Sequence, residues 1–200
     1  MPFVIPVDAH LITLQVSGFR IEHVNVQVGR VTQVQARRVE DVHEVVPRIN
    51  EKAIRQGFDR ANQIWDIANV KFFLRSLTPE KTPAPNNADV VDENGFFFLA
   101  RQFPPKSGVS LLLVDKFKSK HLGGMSVETL KSAIIPYLVP PDFGNILAHE
   151  MGHLLGLLDL TDDHYNLMYQ SYRADYKLSS SQVAKATSST LAKQFGHATP

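Results

Sequence analysis

The sequence predicts an α+β fold, and three patterns in its 200 residues carry that reading. Residues 11–35 alternate apolar and polar side chains with the two-residue period of half-buried strands. Residues 41–68 change to a helical period, with apolar side chains on one broad face. Two later segments, around 145–158 and 179–195, again combine helix-start residues with apolar positions at helical spacing. At 44% hydrophobic content, 200 residues suffice for one domain with a sizeable core. Residues 1–200 are therefore expected to form a single domain. It comprises a β-rich N-terminal segment (1–40), a sheet with a backing helix and a histidine-bearing helix (41–160), and a closing part (161–200).

Taken in order, residues 11–16, 24–28 and 31–35 read as strands joined by turns at Ser17-Gly18 and Gly29-Arg30. They supply the first strand of the sheet with a hairpin, or a small accessory element. A competing reading makes the segment inhibitory, with Asp8 reaching the metal site introduced below. Val45, Ile49, Ala53, Ile54, Phe58, Ala61, Ile64, Trp65 and Ala68 share the buried face of the long helix predicted over 41–68, and His43 reads as a terminus or surface residue. Residues 70–74 form a strand, and the proline- and asparagine-bearing stretch 78–87 a surface loop. Residues 95–100 and 109–114 read as two buried strands, the second central in the sheet. Of Phe96, Phe97 and Phe98, most belong to the core and one ring is exposed. The proline-rich stretch 136–143 leads into the next helix, which begins near Asp142 or Gly144. Serine caps and Val183, Ala186, Leu191 and Phe195 place a last helix over 179–195.

The chemistry concentrates in the helix after Gly144. His149 and His153 stand four residues apart, so a helix aims both imidazoles at one point, where they can hold one zinc ion. Glu150 is rotated by about 100° from His149 and lies beside that point, in the position of a general base and not of a ligand. Catalytic zinc takes three protein ligands and keeps one position for water. No glutamate follows Glu150, which removes the arrangement where a later helix supplies one. Gly156 can adopt the left-handed conformation, end the helix and turn the chain so that Asp159 returns toward the metal. His164 is the alternative third ligand, while Asp162 and Asp163 read as a solvated turn.

This pattern, H-E-x-x-H-x-x-G-x-x-D from His149 to Asp159, followed by Asn166-Leu167-Met168-Tyr169, resembles the metzincin clan of zinc metallopeptidases. The final aspartate is similar to the snapalysin-like branch, and the spacing to the methionine is matrixin-like. The resemblance covers residues 145–170, with weaker likeness around 61–65 and 178–182. It implies a zincin-like metzincin fold: a twisted mixed β-sheet backed by a long helix and an active-site helix, with a C-terminal helix. It also implies one catalytic Zn2+, held by His149, His153 and Asp159, above a structural methionine turn at Met168. The implied activity is that of a metalloendopeptidase on a peptide or protein substrate: metal-assisted hydrolysis with Glu150 as general base and acid. Residues 121–126 match the place of the edge strand that receives substrate, where Gly123 and Gly124 let an extended peptide approach closely. Tyr172 falls in the wall of the pocket beyond the cut. Some metzincins carry a tyrosine two residues after the turn methionine; Gln170 stands there in this chain.

Composition narrows the remaining classes. A formal charge of +1 gives no reason to expect a nucleic-acid partner. Zero cysteine excludes disulfides, iron–sulfur clusters and zinc knuckles, and with them the cysteine-switch latency of matrixins. No apolar run approaches the roughly 20 residues of a membrane-spanning helix, and the N-terminus has no signal-peptide pattern. A soluble monomer is expected; a secreted mature part, a delivered effector and an intracellular enzyme all fit. Two other functions stay open, hydrolysis of a nonpeptide amide and noncatalytic zinc binding.

Overall fold

The computed structural model describes residues 2–28, 31–118, 123–137, 142–169 and 177–196. The elements run β1 (Phe3–Val28), β2 (Val31–Val45), α1 (Glu51–Trp65), β3 (Val70–Pro83), β4 (Val91–Asp92), α2 (Glu93–Gln102), β5 (Val109–Val114) and β6 (Phe117–Lys118). They continue with β7 (Met125–Val127), β8 (Ser132–Pro136), α3 (Asp142–Leu154), α4 (Ser180–Ser188) and α5 (Thr190–Phe195). The result is a mixed α+β fold. The main sheet has the order β2-β1-β5-β8-β7, with β3 also on β1; β4 and β6 form a small separate pair. β3, β1, β5 and β8 are parallel, whereas β2 and β7 run antiparallel to their neighbours. No helix among the described residues is long and apolar enough to cross a membrane.

Alternating side chains of the sheet feed two cores, as the two-residue period requires. Ile5, Val7, Leu111, Leu113, Ala133 and Ile135 pack against α1 and α3 on one face. Ile12, Leu14, Leu112, Val114 and Ile134 pack on the other, against Phe96 and Leu99 of α2. All six residues of β5 are buried between β1 and β8, the central place expected for 109–114.

Several expectations from sequence are corrected. There is no turn at Ser17-Gly18: β1 is one strand, and Gly18 pairs with Asp41 across the ladder. The helix expected from 41 begins at Glu51, because β2 continues to Val45, opposite Leu14. Asn50 caps α1 by accepting from the Ala53 N–H at 2.9 Å. His43 is therefore a strand residue, and it is exposed. The loop expected over 78–87 is mostly β3, which follows β1 in register to Gln15 opposite Pro83. Its prolines are tolerated because β3 pairs on one side only.

Residues 95–100 are helical. Asp92 accepts from the Gly95 N–H at 2.8 Å and starts α2, whose Phe96, Leu99 and Ala100 turn inward while Phe98 is 51% exposed. The predicted helix over 179–195 is two helices, since Ser189 is extended and its side chain caps α5 by accepting from the Ala192 N–H. Asp8 does not approach the histidines: its carboxylate is buried against Arg75 and Ser76 of β3.

Candidate metal centre

α3 is seated on α1 by small residues and by hydrogen bonds that include Arg60 Nε to Asn145 Oδ1 at 3.0 Å. The Phe143 ring lies over Gly57, and Gly144 lies against Arg60, so side chains at either glycine would collide. The buried Trp65 indole donates its N–H to the Ala148 carbonyl at 3.0 Å, one residue before His149. α3 then ends as Gly156 predicts. With φ of +81° it donates to the His153 carbonyl, while the Leu157 N–H reaches the Gly152 carbonyl at 3.0 Å. This turn sends the chain back along the helix end and carries Asp159 to the histidines.

Each imidazole is oriented from behind. His149 Nδ1 donates to the Leu167 carbonyl at 2.8 Å and His153 Nδ1 to the Leu157 carbonyl at 3.0 Å. In the neutral rings this leaves both Nε2 atoms as acceptors. They face one another at 3.1 Å, and Asp159 Oδ1 stands 3.3 Å from each. His149, His153 and Asp159 thus form a group that could hold a metal ion, with ligand atoms within 4.8 Å of one another. His164 is not in it; its ring lies against Tyr169, centroids 4.4 Å apart. Burial alone would lower the His149 pKa, but the Asp159 carboxylate, the Glu150 charge and the Leu167 carbonyl raise it.

Glu150 lies beside this group and is only 4% exposed. Burial pushes its carboxyl up to about 7, against the opposing influence of His149 and the Ser126 hydroxyl. Ser126 stands close enough to favour the carboxylate yet outside hydrogen-bond geometry. A cavity of about 350 Å³ opens in front, lined by Gly124, Ser126, Glu150, His153 and Asp159 among others. Gly124 lines it directly before the antiparallel edge strand β7, and Gly123 has a φ of +106°. Tyr172 and Gln170 lie outside the described residues.

Met168 is fully buried beneath α3. Its sulfur would be 2.5 Å from a β-carbon at Gly152, so the glycine inside the histidine motif makes room for it. The turn carrying Met168 is held by Asn166, whose side chain accepts from the Met168 N–H at 3.0 Å. Asn166 and Gln182 also exchange two amide hydrogen bonds, at 2.9 and 2.8 Å. Gln182 completes a capping box with Ser179 at the start of α4. Sequence reasoning names the stretches that carry Ser126, Asn166 and Gln182 but not the contacts these side chains make, and it misses the role of Gly152. Only the Ser179-x-x-Gln182 spacing was a signal available for one of them.

No family model and no curated protein matches this chain. Among solved structures it is similar to metalloproteinase-II from Bacteroides fragilis, with a TM-score of 0.50 at 14% identity over 92% of this chain. The match covers 52% of that structure's chain, so this chain spans about half its length. Archaemetzincin from Methanopyrus kandleri aligns over 98% of this chain and 94% of its own, with a TM-score of 0.47 and 13% identity. At such identity the first match is a likeness of fold.

Proposed function

We propose that the chain is a zinc-dependent endopeptidase, with His149, His153 and Asp159 as zinc ligands and Glu150 as general base and acid. The spacing of the three donor atoms carries this reading. Bonds of about 2.0–2.1 Å at tetrahedral angles set zinc ligands roughly 3.3 Å apart. The separations of 3.1, 3.3 and 3.3 Å match that, in an arrangement where two imidazole lone pairs would otherwise face each other. Three protein donors among the described residues and an adjoining cavity suit a catalytic ion more than a closed structural one.

When bound, zinc supplies Lewis acidity, making a water more acidic and polarising the scissile carbonyl. Glu150 takes the proton from the attacking water and passes it to the leaving nitrogen. Its burial beside the three donors places the carboxyl where both transfers can occur. The backbone of an extended peptide fits the edge of β7, which among the described residues pairs only with β8, and Gly124 allows close approach. The test is cleavage of a peptide library by the zinc-loaded protein, with and without chelator, beside Glu150→Gln. We expect chelator-sensitive cleavage, reduced about 10²- to 10⁴-fold in the variant while zinc still binds. Failure of the zinc-loaded protein to cleave any peptide, or full activity in Glu150→Gln, would sink the proposal.

A further inference from the structure

We propose that the cleft selects a lysine or arginine side chain close to the scissile bond, with Glu128 as its counter-ion. This names a substrate preference for the peptidase reading above and rests on it. Glu128 opens the single helical turn that directly follows edge strand β7, and it lines the same cavity as Glu150, His153 and Asp159. Gly124, Ser126, Glu128 and Glu150 line one cavity along β7 and the turn after it, so a peptide added to β7 lies beside both the proposed general base and the Glu128 carboxylate.

The Glu128 side chain is exposed and makes no hydrogen bond or ion pair among the described residues. The cation nearest in sequence is otherwise engaged, since Lys131 donates to the Gln194 side chain at 2.8 Å. No lysine or arginine is among the described residues lining the cavity. Leu158, 73% exposed and lining the same cavity, supplies an apolar surface for the methylene stem of a long basic side chain. A carboxylate and an apolar side chain lining one cavity of about 350 Å³ are complementary to lysine or arginine, and the carboxylate repels an acidic residue.

The experiment compares peptides that carry lysine, norleucine or glutamate at each position around the cut. The zinc-loaded full chain and its Glu128→Gln and Glu128→Lys variants are each tested. Cleavage is measured together with binding of dye-labelled, non-hydrolysable versions of the same peptides. The wild type is expected to favour lysine over norleucine by about three- to ten-fold at one position, a preference that weakens with salt. Glu128→Gln should lose the preference and Glu128→Lys should favour glutamate, each read as the ratio of lysine, norleucine and glutamate peptides within one protein. Cleavage without a lysine preference, or an identical preference in Glu128→Gln, overturns the proposal. Lysine-selective, Glu128-dependent binding without any cleavage would leave it standing and overturn the peptidase reading.

Discussion

A β-carbon at Gly124 would lie 2.7 Å from Glu150 Oε1 and 3.0 Å from its Cδ and Cγ. Because Glu150 is buried, its carboxylate has little room to yield, and Gly124→Ala must push it out of place. If Glu150 is the general base proposed above, this change should lower kcat by about 10- to 100-fold, part of what such a base contributes, while zinc affinity and melting temperature stay close to wild type. A parallel fall in zinc affinity would show instead that the whole metal group had moved. The third ligand is tested separately. Asp159→Asn should weaken zinc binding by more than the roughly 10- to 100-fold lost when an outer partner of a ligand is removed, and His164→Ala should leave it unchanged. A zinc titration with the reverse pattern would reassign the ligand. The meeting of His149, His153 and Asp159 is legible in the sequence, since one helix and the Gly156 turn determine it. The contact between Gly124 and Glu150 is not, because separate elements bring them together.

At the scale of elements, the methionine turn and α4 are tied by the amide pair of Asn166 and Gln182, which also completes the cap of α4. Gln182→Ala removes both links and leaves the Asn166 amide, only 4% exposed, with fewer partners. The expected cost is about 1–3 kcal/mol, or roughly 2–10 °C in melting temperature for a chain of this size. Unchanged thermal unfolding would show that Ser179 alone caps the helix. The same local chemistry explains which elements the sequence discloses. α3 announces itself through its motif and its terminal glycine. The run Phe96, Phe97, Phe98 and Leu99 does not, because a short apolar stretch suits a buried strand or a helix equally; the Asp92 cap decides for α2. The end of β2 from Asp41 and the far half of β3 read as helix and loop in the sequence because their pairing with β1 joins residues distant in the chain. The short β8 was not anticipated for the same reason: its register with β5 is a tertiary fact.

At the scale of the whole molecule, Asp8 links the sheet across its bulge. Its carboxylate accepts from Arg75 Nε at 2.8 Å, Ser76 Oγ at 2.7 Å and the Lys106 N–H at 3.4 Å, and the register of β1 on β3 shifts between Val7 and Asp8. Two strands, β1 and β3, and the approach to β5 therefore converge on one buried charge. Burial alone would raise the Asp8 pKa, but the Arg75 and Ser76 hydrogen bonds, the Arg75 charge and the Lys106 N–H together lower it. A carboxyl whose pKa is lower folded than unfolded binds fewer protons in the folded state. Its stabilisation is thus fully present above the unfolded value of about 3.9 and is lost as pH falls through the lowered folded value. Asp8→Asn removes the charge and with it this dependence. At pH 7 the variant should be less stable by about 1–3 kcal/mol, a range that allows for the part of Arg75 that water still reaches. Urea unfolding of both proteins from pH 7 to pH 3 should show the gap holding to about pH 5 and narrowing below about pH 4. A gap that stays constant to pH 3 would mean that the loss in Asp8→Asn is one of packing, and that the Asp8 charge does not stabilise the sheet.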